Sequence, residues 1–461
     1  MKHKRMLLLC VCVMLSACMP TPQNEIVVNR ADGGWEAIIN GSTPAATVGV
    51  YGATPVPDTQ TVAPIDTPPL PMPSPAMDAI DWKDSFTVNA AMDEICVIVD
   101  AKVAYPHSGT APVAAVGFQL PDVDRIDRLI AYFLGEGPLY TADRTKTKSY
   151  YRKTMERCTA ALETETDASA REQWQLLLER TAKQYANAPD DITPTPWDGN
   201  REGKLDLMAP NGDGTYRFLS IDATGVSYRV SLDAPQYIQN TLCLAPQSDR
   251  ERMAVEDAQK VLERTGVDAA LYAIAGQERT VRAFGEETHE NAVSLLFLPL
   301  RCGYPCMDTH TFHGYDDERP DTEETVYAPS YPQESLQIVM EDGKVLTYRH
   351  SYPSTVRNVA KEAAPLLPFG EIQRLFREWI GRSIYVCKGD PLTVRVHTVR
   401  LVMRRMPQKN VGEDWKTADF WLLPAWEFIG SVRAKSDTIT APHLDNETVL
   451  RLNAIDGSVI E

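Results

Sequence analysis

The sequence is short of basic residues. Its 461 residues hold 46 Lys and Arg against 63 Asp and Glu, a formal charge of −17. Residues 1–17 contain three basic residues and no acidic one, so the rest of the chain carries −20. Affinity for nucleic acid comes mainly from Lys and Arg that neutralise phosphates, and electrostatic docking on an anionic membrane face also needs basic clusters. The charge therefore argues against nucleic acid and against a membrane association held by charge.

Long apolar runs are also scarce. Beyond the N-terminus, the longest candidate is Ala292–Leu300, which contains a proline. A membrane-spanning helix needs about 20 apolar residues. We predict a buried strand at Ala292–Leu300 and no membrane-spanning segment in the mature chain.

Familiar catalytic and cofactor motifs are missing. The chain has no Gly-x-Ser-x-Gly elbow, no phosphate loop and no dinucleotide fingerprint. His289-Glu290 lacks the second histidine of a zinc protease motif. Residues 211–214 imitate part of a calcium loop, but Ala209 and Ser220 occupy positions that need acidic ligands. The acidic run at residues 316–324 is interpreted as a solvated loop. The sequence therefore predicts no catalytic residue, no metal ligand and no cofactor.

The N-terminus has the pattern of an export signal. Basic residues at positions 2–5 precede an apolar run at Met6–Leu15, which is too short to span a bilayer. The run ends in Leu15-Ser16-Ala17-Cys18, which resembles the bacterial lipobox. In that class the cysteine thiol takes a diacylglyceryl group and cleavage occurs just before it. We predict residues 1–17 as a lipoprotein signal peptide and Cys18 as the lipid attachment site. The alternative is an ordinary signal peptide with a chance cysteine.

The segment after Cys18 is rich in proline and threonine. Its extreme is the run Pro69-Leu70-Pro71-Met72-Pro73-Ser74-Pro75. Proline lacks an N–H and favours the extended polyproline II conformation, at about 3.1 Å per residue. We interpret residues 18–80 as a disordered tether that holds the folded part away from the membrane. The competing interpretation is a ligand for a proline-binding domain.

The rest of the chain predicts an α+β fold. Turn signals such as Asp342-Gly343 separate strand-like segments, and helical patterns begin at Asp122 and end at Gly266 and Gly381. Hairpins without regular βαβ alternation favour mixed helix and antiparallel-sheet domains. We predict two such domains, at residues 81–241 and 242–461.

The C-terminal part carries a resemblance to a known class. Leu422–Phe428 and Leu452–Ile460 resemble the ending of YycI/PepSY-type extracytoplasmic domains, and the helix at Val255–Thr265 is similar to a helix of those modules. The whole precursor is similar to an uncharacterised family of lipoproteins from Gram-positive, clostridia-like bacteria. The resemblance implies an α+β fold, an extracytoplasmic location and protein or peptide interaction, and it supplies no catalytic residues. Residues 80–240 share only length and layout with that family.

One cluster has metal-ligand chemistry. Cys302, Cys306, His310 and His313 offer four zinc-type ligands, but their spacing fits no familiar zinc finger. Two alternatives to a zinc site stay open. Outside the cytoplasm Cys302 and Cys306 can form a disulfide, or the four residues can have no special role. The cysteines that remain after cleavage and lipidation allow up to three disulfides. They are Cys96, Cys158, Cys243, Cys302, Cys306 and Cys387.

These observations predict a lipoprotein held on the extracytoplasmic face of the cell membrane through Cys18. Its expected partners are membrane lipid and an envelope protein or peptide, in a non-enzymatic binding or regulatory role. One alternative is a solute-binding lipoprotein that serves a transporter. Another is a cell-envelope hydrolase with an unrecognised site, for instance around His310 and His313.

Overall fold

The fold was analysed in a computed structural model. It describes residues 75–89, 94–212, 215–232, 234, 242–275, 289, 291–307, 333–383, 391–407, 419–434 and 446–460. The predicted signal peptide, Cys18 and nearly all of the predicted tether lie outside the described residues, as do His310, His313 and Cys387.

Strands and helices follow the chain in a mixed order. The strands are β1 Met77–Asn89, β2 Glu94–Pro106, β3 Thr110–Phe118, β4 Tyr140–Thr141, β5 Leu205–Pro210, β6 Tyr216–Asp222, β7 Gly225–Arg229, β8 Leu242–Cys243, β9 Ala269–Ala275, β10 Val293–Arg301, β11 Tyr304–Pro305, β12 Ser335–Glu341, β13 Lys344–Ser351, β14 Ser354–Pro365, β15 Leu392–Pro407, β16 Asp419–Ala434 and β17 Glu447–Asn453. The helices are α1 Val123–Phe133, α2 Lys148–Thr164, α3 Ala168–Asn187, α4 Asp249–Thr265 and α5 Phe369–Ser383.

The first sheet joins the two ends of the described chain. Its order is β1-β2-β15-β16-β3-β14, and β17 pairs with β16. All of its pairs are antiparallel except β2 with β15, which run parallel with Ile95 opposite Leu392. Along β2, buried and exposed side chains alternate, which is the period of a strand with one covered face. We call this sheet 1.

The second sheet is built entirely from the middle of the chain. Its order is β4-β5-β6-β7-β13-β12-β10-β9-β8, with β11 paired to β10. Neighbouring strands in it are antiparallel. We call this sheet 2. Together with the five helices, the two sheets make the fold α+β, as the sequence predicts.

The sheets do not follow the predicted division at residues 241 and 242. Sheet 1 takes β1–β3 from before that point and β14–β17 from after it, while sheet 2 takes strands from both sides of it. The chain leaves sheet 1 at residues 119–122 and returns at residues 352–353. The two crossing segments lie side by side, since the N–H of Gln119 donates to the carbonyl of Pro353 at 3.0 Å. Sheet 2 is therefore an insertion between two strands of sheet 1.

Each sheet has its own apolar core with amphipathic helices. In sheet 1, α5 buries Phe376, Trp379 and Ile380 against strand residues such as Trp82. In sheet 2, α1 and α4 bury one face each. The buried residues of these two helices are Ile126, Leu129, Ile130, Phe133, Ala254, Ala258, Val261 and Leu262. Helices with one apolar face are stable only when that face is covered, so each helix is held by its sheet.

A third cluster connects the sheets. It contains Tyr272, Leu296 and Leu298 from sheet 2 and Val402 and Ala425 from sheet 1. A short parallel bridge between Cys306 and Met403 lies beside it. The two sheets therefore share apolar packing as well as the crossing segments.

Most predicted elements are confirmed. The helix that ends at Gly266, the hairpin over Asp342-Gly343 and the strand at Ala292–Leu300 all form. The sequence missed β3 and β14, which pair with each other through three register shifts. The tether was predicted to reach residue 80, but β1 begins at Met77. Among the described residues, no helix is long and apolar enough to cross a membrane.

Candidate functional site

A crevice of about 340 Å³ lies where the chain crosses between the sheets. The two crossing segments form one side, with Gln119–Asp122 and Pro353–Thr355 among its lining. The end of α4, at Gly266–Asp268, and the end of β10, at Leu300–Cys302, form the rest with Arg125 and His350. Because parts distant in sequence meet here, this crevice is our candidate functional site.

A buried carboxylate, Glu334, stands at the centre of the polar network beside the crevice. Its Oε1 accepts from Nη2 of Arg301 at 2.7 Å, and its Oε2 accepts from the hydroxyl of Ser354 at 2.6 Å. Burial acts to raise the pKa of Glu334, but the charge of Arg301 and the bonds from His350 and Ser354 outweigh it and lower the pKa to about 2. Glu334 is therefore an anion at neutral pH and anchors three side chains from three chain segments.

His350 bridges Glu334 and Arg125. Its Nε2 lies 2.8 Å from Oε1 of Glu334, and its Nδ1 lies 3.1 Å from Nη2 of Arg125. An arginine only donates, so Nδ1 must accept and the ring proton resides on Nε2, which donates to Glu334. Burial lowers the pKa of His350, and the charges of Arg125 and Arg301 also act to lower it. Glu334 acts to raise this pKa, but burial has the larger effect. The imidazole is thus neutral and held in one tautomer.

The backbone of His350 is in close contact with a glycine on the neighbouring strand. Gly225 has φ +131°, and a Cβ added there would lie 2.1 Å from the carbonyl oxygen of His350. A side chain at position 225 would push β7 away from β13, since backbone at such a contact cannot move cheaply. Gly225 is therefore required to place His350 at its present position in the sheet.

Arg125 and Asp268 line the crevice and form no ion pair with another described residue. Arg125 donates from Nε to the carbonyl of Thr265 at 3.3 Å and contacts His350, but no carboxylate in the described part of the chain pairs with it. Asp268 is exposed, and its side chain contacts no cation within the same residues. The crevice therefore presents a positive and a negative group that are not paired within the described part of the chain.

Part of the crevice lining is apolar. Val356 and Val359 of β14 lie there with Leu120 and Cys302. Burial raises the pKa of the Cys302 thiol to about 11, although the charge of Arg301 acts to lower it. A thiol that stays protonated at neutral pH is a poor nucleophile, so Cys302 contributes apolar surface rather than chemistry.

The polar network does not form a nucleophile–base pair. Catalysis by serine needs a histidine in hydrogen-bond contact with the serine hydroxyl. Here the hydroxyl of Ser354 donates to Glu334, and both nitrogens of His350 are engaged by Glu334 and Arg125. The carboxylate separates the two groups that would have to act together. The arrangement can position a ligand, and it does not activate a hydroxyl.

A second buried carboxylate lies between sheets, away from the crevice lining. Glu427 on β16 is fully buried and accepts from Arg400 at 2.8 Å and from Arg451 at 3.0 Å. Burial acts to raise the pKa of Glu427, but the two arginines and the hydroxyl of Thr448 outweigh it and lower the pKa to about 2. Arg400 also stacks over the ring of Tyr272, with its Cζ 4.4 Å from the ring centre. This network links sheet 1 to sheet 2 and has a structural role.

Of the residues that the sequence singled out, Cys302 lines the crevice, and the others lie elsewhere or outside the described residues. The disulfide between Cys302 and Cys306 that the sequence left open does not form, and none of the five described cysteines is in a disulfide. No group of three metal-binding side chains occurs within the described residues, and His310 and His313 lie outside them. Cys96, one of the six cysteines that the sequence left available for disulfides, is exposed. Trp426, within the segment that carries the resemblance, is fully buried.

The residues of the crevice had almost no signal in the sequence. Arg125 follows a recognisable helix start at Asp122, whose side chain accepts from the N–H of Arg125 at 2.8 Å. Glu334 and His350 are 16 residues apart and belong to no known motif. Their contact depends on the pairing of β12 with β13, which the periodicity of single segments cannot reveal.

Comparisons with known proteins add little to this geometry. No protein-family model matches the chain, and no curated protein matches it. An uncharacterized protein from Eubacterium rectale ATCC 33656 is similar in structure, with a TM-score of 0.39 and 10% identity over 82% of this chain and 93% of that one. At this level the similarity identifies neither a ligand nor an activity.

Proposed function

We propose that this chain is a membrane-anchored extracytoplasmic lipoprotein with a non-enzymatic role, which binds a protein or peptide of the cell envelope. Cys18 would carry the lipid, and the proline-rich segment after it would hold the folded part off the membrane. The lipobox pattern and the resemblance to YycI/PepSY-type domains support the location and the kind of partner.

The observation that carries the binding role is the composition of the crevice. Its buried groups, Glu334, His350 and Ser354, are bonded to one another, and they stiffen the site without forming a catalytic pair. Arg125 and Asp268, which form no ion pair among the described residues, line the opening together with apolar side chains. Sites of this composition orient ligands through a few polar contacts and hold them through apolar surface.

A finer proposal concerns the units of the folded part. We propose two units that correspond to the two sheets instead of two consecutive halves. One comprises residues 77–118 and 354–460, and the other comprises residues 119–353. The support is that every strand of sheet 2 lies between the two crossing segments.

The binding role can be tested by cross-linking in intact cells. The full chain, an Arg125→Gln variant and an Arg152→Gln variant would be recovered after cross-linking, and the co-purified proteins and peptides compared. Arg152 is exposed on α2, away from the crevice lining, so it controls for loss of an arginine. We expect a partner that is lost with Arg125→Gln and retained with Arg152→Gln. Equal recovery by all three proteins, or no partner above background, would contradict the proposal.

The position of the crevice also favours a second candidate, a solute-binding lipoprotein that serves a transporter. Such proteins enclose small ligands between two units joined by crossing segments, and the crevice lies at such a junction. A thermal-shift screen with sugars, peptides and metal ions separates the candidates. A ligand at 100 times its Kd adds about 2.7 kcal/mol of stability, so stabilisation by a sugar or a metal ion would favour this candidate.

A further inference from the structure

We infer that the crevice binds a short free peptide in its zwitterionic form, with the ligand carboxylate on Arg125, its ammonium group near Asp268 and its apolar side chains beside Val356 and Val359. This inference rests on the proposed binding function and names the ligand chemistry of the same site. The observation that carries it is that Arg125 and Asp268, which form no ion pair within the described part of the chain, line one crevice of limited volume.

Arg125 is positioned to receive a carboxylate. Its guanidinium is fixed by Thr265 through Nε and by His350 through Nη2, and it forms no ion pair with a carboxylate among the described residues. An arginine offers donors in a planar fork that matches the two oxygens of a carboxylate. Because the guanidinium is already oriented, little conformational freedom is lost when a ligand binds.

Asp268 lies where a positive group is favoured. It follows Gly266, the residue that ends α4, so it stands next to the negative end of that helix. Its carboxylate forms no ion pair with another residue in the described segments, and Asp122 on the same lining adds a second negative group. An ammonium group would neutralise this side of the crevice.

The overall charge of the lining argues against a simple anion. Arg125 and Arg301 are balanced by Asp122 and Asp268, and Glu334 contacts Arg301 directly. Phosphate or sulfate would gain one arginine and be repelled by the acidic residues. A ligand that carries both charges satisfies both sides at once.

Size and surface define the rest of the ligand. A space of about 340 Å³ is near the lower limit of ligand pockets, which run from about 300 to 1,000 Å³. It suits a peptide of two or three residues, not a folded domain. The apolar part of the lining, at Val356, Val359 and Leu120, favours aliphatic side chains on that peptide.

The test is isothermal titration of the full chain with dipeptides of Val and Leu. The four possible dipeptides would be used as free zwitterions, as N-acetylated forms and as C-terminal amides, with sodium phosphate as an anion control. We expect saturable binding of at least one zwitterion. Either cap should weaken that binding about tenfold or more, as expected when a charge-assisted bond is removed, and phosphate should not compete.

Variants assign the charges to residues. Arg125→Gln should weaken binding of the free dipeptide about tenfold and leave binding of its C-terminal amide unchanged. Asp268→Asn should weaken binding of the free dipeptide about tenfold and leave binding of its N-acetylated form unchanged. Arg152→Gln and Asp124→Asn remove exposed charges outside the lining and should have no effect. A variant that merely misfolds would lower the affinity for capped and uncapped forms alike.

The outcomes separate the inference from the broader function. Four results would each overturn the zwitterion inference. They are equal binding of capped and free dipeptides, binding that needs only the carboxylate, competition by phosphate, and no binding by any dipeptide. A cross-linked partner whose capture still depends on Arg125 would leave the binding function standing in all four cases. Absence of that partner as well would remove both.

Discussion

At the scale of single residues, the molecule depends on two buried carboxylates that stay charged. Glu334 and Glu427 lie at the junctions between sheets, and each is surrounded by donors from separate strands. A buried charge is tolerated only when it is paired and hydrogen-bonded. Both carboxylates therefore make the packing of the two sheets specific. For the same reason, the stability of the fold is sensitive to any substitution of their hydrogen-bond partners.

The neutral state of His350 predicts a pH dependence of stability. As the pH falls below about 6.5, the usual pKa of histidine, the unfolded chain takes up a proton there. The folded protein resists this proton because burial lowers the pKa of His350. Stability is therefore fully present above that pH and declines as the pH falls. Glu334, with its pKa lowered to about 2, adds a further loss below about pH 4.5.

We predict that His350→Gln will flatten the stability profile between pH 7.5 and 5, since glutamine can donate and accept without titrating. The measurement is the thermal midpoint of both proteins across this range. Ser354→Ala serves as control, because it removes one donor to Glu334 but leaves the histidine in place. A wild-type profile no steeper than that of His350→Gln would show that His350 does not take part.

Removal of the second carboxylate should be costly. In Glu427→Gln, the side chains of Arg400 and Arg451 lose their anion, and Arg451 is 5% exposed. Breaking a buried pair in this way costs about 3–5 kcal/mol, to be measured as the free energy of unfolding in urea. Glu378→Gln breaks an ion pair on the exposed face of α5 and should cost no more than about 1 kcal/mol. Similar losses in both variants would contradict the buried role of Glu427.

At the scale of elements, helix α4 shows how local signals position the site. The hydroxyl of Ser248 accepts from the N–H of Glu251, and Oε2 of Glu251 accepts from the N–H of Ser248, a reciprocal cap at the first turn. Gly266 ends the helix in the left-handed conformation at φ 68°. These two ends fix the length of α4 and place Val267 and Asp268 at the crevice.

The cap of α4 predicts a moderate stability effect. Ser248→Ala should lower the free energy of unfolding by about 1 kcal/mol, because it leaves an N–H at the helix start without its acceptor. Ser248→Thr keeps a hydroxyl and should retain most of that stability. Denaturant titration of both variants measures the difference. An alanine variant as stable as the threonine variant would mean that the cap does not hold this helix.

At the scale of the whole molecule, the order of strands within the sheets differs from their order along the chain. Residues 81–241 contain β2 and β3 but lack the strands β15 and β16 that lie between them in sheet 1. Residues 242–461 contain β12 and β13 but lack β7, which pairs with β13. Neither half therefore holds a complete sheet.

This arrangement predicts which fragments fold. Fragments 81–241 and 242–461 should each lack a cooperative unfolding transition, whereas fragment 119–353 holds every strand of sheet 2 with α1 and α4 and should unfold cooperatively. Circular dichroism during urea titration measures this. A cooperative transition in both half fragments, or none in fragment 119–353, would show that the sheets are not the folding units.

The proposed anchor predicts a change in location. Cys18→Ser should release the protein from the membrane fraction, because a hydroxyl cannot form the thioether to diacylglycerol and stable anchoring needs the acyl chains. Cys96→Ser removes an exposed thiol of the folded part and should leave membrane association unchanged. Fractionation of cells that make each variant, with labelled palmitate, measures both effects. Equal membrane association of all forms would contradict the role of Cys18.

Local patterns were sufficient for many elements. The amphipathic periodicity of α5 and the turn at Asp342-Gly343 each carry their information within a few residues, and both elements form as predicted. The strands β3 and β14 were missed because Ala, Lys and Glu in their sequences favour no strand by themselves. Their pairing with each other, and of β3 with β16, is what makes them strands.

The sequence by itself determined the α+β class, because turn residues and hydrophobic periodicity act over short distances. It also supplies the export and lipidation pattern at Cys18, which remains a prediction. The tertiary structure decided the insertion of sheet 2 between β3 and β14, and with it the crevice. Arg125, Asp268, Glu334 and His350 meet only because strand pairing joins distant segments, and no local pattern encodes which strands pair.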